Sequence, residues 1–417
     1  MNATQRLLIS YGLGAASPSQ IAHECTGLCE SVFVFDGCDA HSLDVRPLLE
    51  QLGETLDVAA LGFHAVVRRA REARVAGVTT FSEKMLPFTC RLATALELPF
   101  HSAEAVRRLT AKDVQRSALA AAEIPGPACV LVETSDEAMA ALRRVGVPAV
   151  LKPQRGSGSV RTIAIESEGE LERIAEEVGL GKRVDGVGRG FVLEQRLEGA
   201  PHPAAHWLGD YVSVETIASG GRYRHVCVAD KPPLAWPFRE RGMVLPTSAP
   251  SDLIAELCTL TDSALRACGV ELGATHTEIK LTPEGPRVLE VNGRLGGSVH
   301  RLIERVSPIR PIRLAIEAAV GMEPAFVADF RALSVQYIVP APPSASRIIV
   351  PPDPRRLLSI PGVYNVDGRL PPGAPLDWRA GTLGSVCTVW AEVDGLNDAR
   401  RIFEATDRVV AETAAFA

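Results

Sequence analysis

The 417-residue chain has no excess of positive charge, no bilayer-length apolar run and no CxxC pair, and each absence removes a class of function. Its 44 Lys and Arg stand against 50 Asp and Glu, a net charge of −6. No overall positive field exists to draw a polyanion, so a general nucleic-acid binder is not expected. Nothing in the chain is apolar for long enough to span hydrocarbon. The N-terminal MNATQRLLISYG shows no signal-peptide h-region or cleavage site, so a cytoplasmic protein without a membrane partner is the expectation. Among nine cysteines, Cys25 and Cys29 lie four apart, but no further Cys or His completes a zinc pattern. Cys227, Cys258 and Cys387 sit among apolar neighbours and read as reduced core residues. No internal repeat and no Ser–His–Asp or Cys–His arrangement is legible. The segment YGLGAAS lacks the full GxGxxG spacing of a dinucleotide fingerprint, and a strand-to-helix turn accounts for it.

What is present is an ordinary globular composition, 46% hydrophobic and 23% charged, in a chain long enough for two to four domains. Residues 6–105 alternate strand-like segments (LLISYG, SVFVFDG, GVTTFS) with amphipathic ones such as 65–76, the mark of a small parallel α/β layer. From residue 109 the pattern changes. A helix is predicted over 110–123, then CVLVE, a helix over 135–145, the strand PAVLKP, the loop QRGSGSV, RTIAIES, a helix over 168–178 and FVLEQ. Beyond 197 come paired strands over 210–234, a long helix over 251–268, a hairpin over 275–297 and a helix over 311–320. The last hundred residues mix prolines with strand-like patches (LSVQYIVPA, RIIVP, GSVCTVWAEV) and finish in a helix over 397–414. Four domains are therefore expected: 1–108, 109–196, 197–325 and 326–417, the last an α+β unit.

The hairpin THTEIKLTPEGPRVLEVNGRLGG carries the densest chemistry. Alternation places His276, Glu278 and Lys280 on one face of its first strand, and Val288, Glu290 and Asn292 on one face of the second. A turn centred on Glu284 sets Glu278 opposite Glu290 and His276 opposite Asn292. Like charges facing across a ladder destabilise a sheet, so a cation between them is expected. Two carboxylates and an amide carbonyl are hard oxygen ligands suited to Mg²⁺ that also holds phosphates. A solvent-facing hairpin is the plain alternative, and Arg294 with Gly296–Gly297 directly after it weighs against that.

Lys152 ends an apolar strand and precedes QRGSGSV, where Gly156 and Gly158 permit positive φ, so that N–H groups near them, with Ser157 and Ser159, can turn toward one anion. Lys112 falls in the first turn of a predicted helix, where the helix dipole favours anions over cations, so a lysine reaching back to a phosphate explains it. Glu194 closes FVLEQ ahead of a link whose backbone can meet an adenine edge, and Lys231 leaves a strand just before a Pro-rich loop, placed to hold another phosphate. His276, on the carboxylate face, is a candidate hydrogen-bond partner for substrate. His202, His206 and His225 read as structural or exposed.

The order Lys112, Lys152 with its glycine loop, FVLEQ-LEG, DYVSVE, DK, HTEIK and LEVNGRLGG resembles the ATP-grasp superfamily of carboxylate–amine ligases, over roughly residues 109–321. Within it, DYVSVE–ADKPP–ATHTEIKL is similar to bacterial L-amino-acid ligases of the bacilysin-synthetase type. The resemblance implies an ATP-grasp fold, α/β and α+β multidomain, behind a Rossmann-like pre-grasp domain. It implies ATP held by Lys112, Lys152, the loop 156–159 and Glu194, with two Mg²⁺ (or Mn²⁺ in their place) on Glu278, Glu290 and Asn292. Arg294 is then expected to face an acyl phosphate with Lys231 nearby, and Glu240 to take the α-ammonium of a first amino acid. The partners implied are small amino acids or amines, and a homodimer.

Two departures stand out. The insertion APHPAAHWLG precedes Asp210, which takes the place of the usual, longer ribose-binding Glu. Ser298, four residues after Arg294, is small where a pocket wall is expected, which implies room for a larger substrate side chain. Three other readings stay open at this point. One is an ATP-grasp enzyme that uses bicarbonate or a purine precursor. Another is a phosphotransferase that stops after γ-phosphate transfer. The third is a nucleotide-binding regulator, against which the retained Glu278, Glu290, Asn292 and Arg294 argue.

Overall fold

The computed structural model describes residues 5–182 and 190–417. Four parallel strands open the chain, in the order Glu54–Asp57, Cys29–Phe35, Gln5–Ser10, Val75–Thr79. Their apolar runs are buried on both faces, as a parallel sheet wrapped by helices requires. The sequence predicts three of these strands. The fourth, Glu54–Asp57, has four residues and one buried side chain, too little pattern to show. Glu83, which follows the strand Val75–Thr79, reaches Arg294 from the carboxyl edge of this sheet, where open α/β sheets place ligands.

A second sheet is antiparallel, in the order Cys129–Val132, Phe191–Gln195, Ala149–Pro153, Ile163–Ile165. Helices Ser135–Val145 and Glu168–Glu177 pack on it, burying Ala138, Ala141, Leu142, Leu171 and Ile174. Thr134 and Glu137 form a capping box that starts the first of these helices. The predicted helix over 110–123 is Lys112–Ala121, and a separate helix Ala103–Thr110, which the sequence pattern does not predict, precedes it across an extended Ala111. The break leaves Lys112 in a first turn, as expected.

The third sheet has eight strands, in the order Arg287–Asn292, Leu272–Lys280, Tyr211–Ser219, Arg222–Asp230, Gly242–Leu245, Leu333–Pro340, Ser385–Val393, Val363–Asp367. Tyr211–Ser219 is buried along almost its whole length. Helix Ser251–Cys268 covers part of this sheet, and Pro311–Ala319 packs against its strand Leu272–Lys280 and also against Val75–Thr79 of the first sheet. The boundary expected at 325/326 falls inside this continuous sheet, because Gly242–Leu245 pairs with Leu333–Pro340. All nine cysteines are free thiols. Among the described residues no helix is long and apolar enough to cross a membrane.

Two buried histidines tie the first sheet region to the rest. The Nδ1 of His101 accepts from the Glu271 N–H, and His300 Nε2 meets the Gln20 side-chain nitrogen. Burial pushes each imidazole from 6.5 down to about 4. The unfolded chain therefore binds protons that the folded one refuses, so stability is full above pH 6.5 and lost as pH falls toward 4. Each histidine is expected to cost about 2 kcal/mol between pH 7 and 5. Urea midpoints of wild type and His101→Asn at the two pH values check this; equal pH slopes in the two proteins contradict it.

Candidate active site

The hairpin forms in the expected register. Glu278 pairs with Glu290 and His276 with Asn292, with a bulge just past Glu278. The two carboxylates face each other and are each mostly buried, with 27% and 18% of their side chains exposed. Such an arrangement stands only because cations surround it. Lys112 Nζ lies 2.9 Å from Glu290 Oε1 and donates to the Gly156 carbonyl at 2.7 Å. One ammonium thus joins the glycine loop to the hairpin. Burial alone pulls the Lys112 pKa down, but Glu290 and Glu83 outweigh it and hold the group charged.

His276 backs the pair. Its Nδ1 is 2.5 Å from Glu215 Oε1, and its Nε2 is 3.4 Å from Glu278 Oε1. Burial disfavours the imidazolium, yet Glu215 and Glu278 raise it to about 9, so it is cationic at neutral pH. In turn Glu278 is held below the usual carboxylate range: burial opposes this, and the hydrogen bond and charge of His276, with Lys231 and Arg294, prevail. Gly296 is a glycine because a Cβ there would sit 2.7 Å from His276 Nδ1. Its N–H donates to Glu215 Oε2 at 3.3 Å.

Lys152 lies 2.7 Å from Glu194 Oε2, and Arg116 Nε donates to Glu194 Oε1 at 2.9 Å. Burial would raise the Glu194 carboxyl, but the two cations bring it down to about 2. This carboxylate is therefore occupied within the protein and aims Lys152. Arg116 also donates to the Val288 carbonyl at 2.9 Å, joining the second sheet to the hairpin. Asp210 pairs with Lys280 at 2.7 Å, and Gly199 leaves it room, since a Cβ there would be 1.6 Å from Asp210 Oδ2. In the glycine loop, Gly156, Gly158 and Ser159 have φ of 110°, 69° and 57°, and Gly156 and Ser157 are exposed.

A second group of charges lies around the Pro-rich loop. Lys231 is wholly buried, 2.8 Å from Glu240 Oε1 and over the Tyr211 ring. Arg294 Nη2 reaches Asn292 Oδ1 at 3.5 Å and Glu83 Oε2 at 3.6 Å. Ser298, at φ 59°, starts the helix Val299–Val306. His202 is fully buried on Asp230, and His225 meets Asp262 and Thr216, structural placements for both.

Four contributors were not singled out from sequence. Arg116 follows Lys112 by four residues on one helix, so their shared face was readable. Glu215 stands two residues along from Ser213 in an alternating strand and lies across from His276. Glu83 comes from the first domain and Thr382 from beyond residue 326, and no local pattern ties either to the hairpin. Glu83 Oε2 is buried without a hydrogen-bond partner among the described residues. Burial raises its pKa and Glu290 adds to that, with Arg294 opposing.

The donor set fits Mg²⁺. Among the described residues no group of three or more His, Cys, Asp or Glu surrounds a common point. The protein thus offers two carboxylates and the Asn292 carbonyl, leaving positions for phosphate oxygens and water, which Mg²⁺ prefers.

No family model matches the chain. Its curated relatives include an uncharacterized protein of Sinorhizobium fredii, 29% identical over 248 residues, which are 59% of this chain and 49% of that one. Carnosine synthase 1 of Homo sapiens is 27% identical over 278 residues, 62% of this chain and 32% of its own. Alanine–anticapsin ligase of Bacillus subtilis is 28% identical over 225 residues, 52% and 47%. The chain thus spans only a third to a half of the length of these relatives. Among solved structures, the L-amino acid ligase from Bacillus licheniformis superimposes with a TM-score of 0.75 at 20% identity, over 100% of this chain and 98% of that one. The N5-carboxyaminoimidazole ribonucleotide synthetase from Thermus thermophilus superimposes with a TM-score of 0.69 at 18% identity, over 97% of this chain and 98% of that one.

Proposed function

We propose that this chain belongs to the ATP-grasp superfamily and is an ATP-dependent ligase that joins an amino-acid carboxylate to the amine of a second amino acid. The observation that carries the reading is the facing pair Glu278–Glu290, braced by Lys112 and protonated His276, beside an arginine and a lysine-ended glycine loop. Relatives named as an alanine–anticapsin ligase and a carnosine synthase, and a neighbour named as an L-amino acid ligase, support it.

In this reading Lys112, Lys152 and the N–H groups of the loop 156–159 take the triphosphate. Glu278, Glu290 and Asn292 would hold Mg²⁺, one ion or two, which would supply positive charge to the transferring phosphate. Asp210, paired with Lys280 at 2.7 Å, takes the ribose in this reading. Glu240, fixed by Lys231, receives the ammonium of the first amino acid. That substrate's carboxylate oxygen bonds to the γ-phosphorus as the β–γ bridging bond breaks and ADP leaves. Arg294 faces the acyl phosphate. The ammonium of the second substrate docks on Glu83 Oε2 beside Arg294 and gives that carboxylate one proton; the nitrogen then bonds to the acyl carbon as the carbon–oxygen bond to phosphate breaks, and its second proton leaves with the phosphate. Enclosing these steps matters because water hydrolyses an acyl phosphate.

The test is phosphate release over pairs of amino acids, with and without bicarbonate, and mass spectrometry of the products. An amide formed in step with phosphate is expected. Phosphate released only with bicarbonate, or a stable phosphorylated product, contradicts the proposal. Ser298→Trp is expected to narrow the accepted side chain: small substrates keep their rate while bulky ones lose about 10-fold or more. Because Ser298 lies in the left-handed region, where a bulky residue is strained, the unchanged rate with small substrates serves as the control for backbone damage. An unaltered substrate profile removes Ser298 from the pocket.

A further inference from the structure

The turn Trp378–Gly384 comes from the far end of the chain, between the last two strands to join the long sheet, yet it touches both halves of the candidate site. On the nucleotide side, the Thr382 N–H donates to the Gly158 carbonyl at 2.9 Å, and the Arg161 N–H donates to the Arg379 carbonyl at 3.0 Å. Arg379 Nη2 lies 2.7 Å from Glu177 Oε1 on the second-sheet helix Glu168–Glu177. On the substrate side, Thr382 Oγ1 accepts from the Glu240 N–H at 3.3 Å, and Trp378 packs on Trp236 with ring centroids 5.2 Å apart. Approach this close depends on Gly381. Its φ of 62° and ψ of −137° interrupt the turn, and a Cβ there would sit 2.1 Å from the Gly158 oxygen.

We propose that Thr382 is a positioning residue that couples the glycine loop to the loop carrying Glu240. Its backbone holds one and its hydroxyl the other, so that the site closes on nucleotide and first amino acid together. This rests on the ligase reading above and adds to it a reason why phosphate is not transferred to water. When the glycine loop settles on the triphosphate, Gly158 carries Thr382 with it, and the Thr382 hydroxyl fixes the backbone of Glu240. A loop fixed in this way holds the first amino acid's ammonium while its carboxylate is phosphorylated. A loosened one lets the acyl phosphate meet water. The backbone contact to Gly158 does not need the threonine side chain and the contact to Glu240 does, so the two can be separated by substitution.

Three variants test this: Thr382→Val, Thr382→Ser and Gly381→Ala. Valine keeps the N–H and the shape but removes the hydroxyl. It is expected to raise KM for the first amino acid about 2- to 10-fold, the span of one neutral hydrogen bond. It should also lift the ratio of phosphate released to amide formed above that of wild type, and leave affinity for Mg²⁺ with the imido analogue of ATP within twofold. Serine restores the hydroxyl and should restore both KM and the ratio. In wild type the analogue is expected to change the tryptophan fluorescence through the Trp236–Trp378 pair, and alanine at 381 should weaken analogue binding itself and abolish that change. Thr382→Val matching wild type in KM and ratio overturns the proposal, as does Thr382→Ser being as impaired as valine. If wild type releases no phosphate with any amino-acid pair, the ligase reading falls, and the fluorescence then decides the coupling alone. A response absent from wild type, or equal in wild type and Gly381→Ala, overturns it.

Discussion

Glu290→Gln is expected to lower turnover by about 10²- to 10³-fold while the protein stays folded, the scale seen when one group that stabilises transition-state charge is removed. Glutamine fills the same volume and still presents a carbonyl oxygen to Lys112 Nζ, 2.9 Å away in the wild type. That ammonium also keeps its bond to the Gly156 carbonyl, so it is not left as a bare buried cation. The loss should therefore fall on the metal: weaker Mn²⁺ binding with ATP present, and a thermal midpoint within a few degrees of wild type. Removing Glu278 is a different experiment, because His276 and its partner Glu215 were assembled around that charge. A Glu290→Gln enzyme with full turnover removes the metal assignment.

Glu83→Gln is expected to abolish amide formation with amino acids yet spare transfer to hydroxylamine. The wild-type carboxylate has one oxygen buried with no hydrogen-bond partner among the described residues, 3.6 Å from Arg294. A buried carboxylate oxygen without a hydrogen bond is expensive to maintain even with Arg294 near it, and an ammonium arriving there gives it a reason to exist. Glutamine cannot take that ammonium as a charge partner. Hydroxylamine is neutral near pH 7 and needs no such partner, so it still traps the acyl phosphate as a hydroxamate. We expect KM for the amine to rise, or the amide product to vanish, with the hydroxamate rate within about threefold of wild type. Loss of both products together assigns Glu83 to phosphoryl transfer. Full amide synthesis by the variant removes it from the site.

The parts of this site that were legible in the sequence share one property: they lie on regular strands or in short loops directly after them. Alternation in THTEIK and VLEVN, with a six-residue turn, was enough to set Glu278 across from Glu290. Lys152 and its glycines were readable because the strand ends where the loop begins. What could not be read is what depends on chain segments meeting from afar. Ala111 gives no sign that a helix breaks there, since alanine is a good helix former and the interruption follows from docking against Gln154. Helix Val299–Val306 was missed because it starts from a left-handed serine directly after a Gly–Gly pair, with no capping side chain. The long sheet crosses residue 325 because edge strands from both sides pair, and composition records nothing of that. Glu194 shows the same limit. Its placement at a strand end was correct, but two cations from other elements turn its carboxylate inward onto Lys152.

The most direct test of the central claim is a crystal structure with Mn²⁺ and the imido analogue of ATP, with anomalous diffraction used to find the metal. The account predicts Mn²⁺ peaks between Glu278 and Glu290, with the analogue's terminal phosphates on the same ions and Lys112 and Lys152 on those phosphates. Peaks elsewhere, or a bound analogue with both carboxylates still held only by Lys112 and His276, would contradict it.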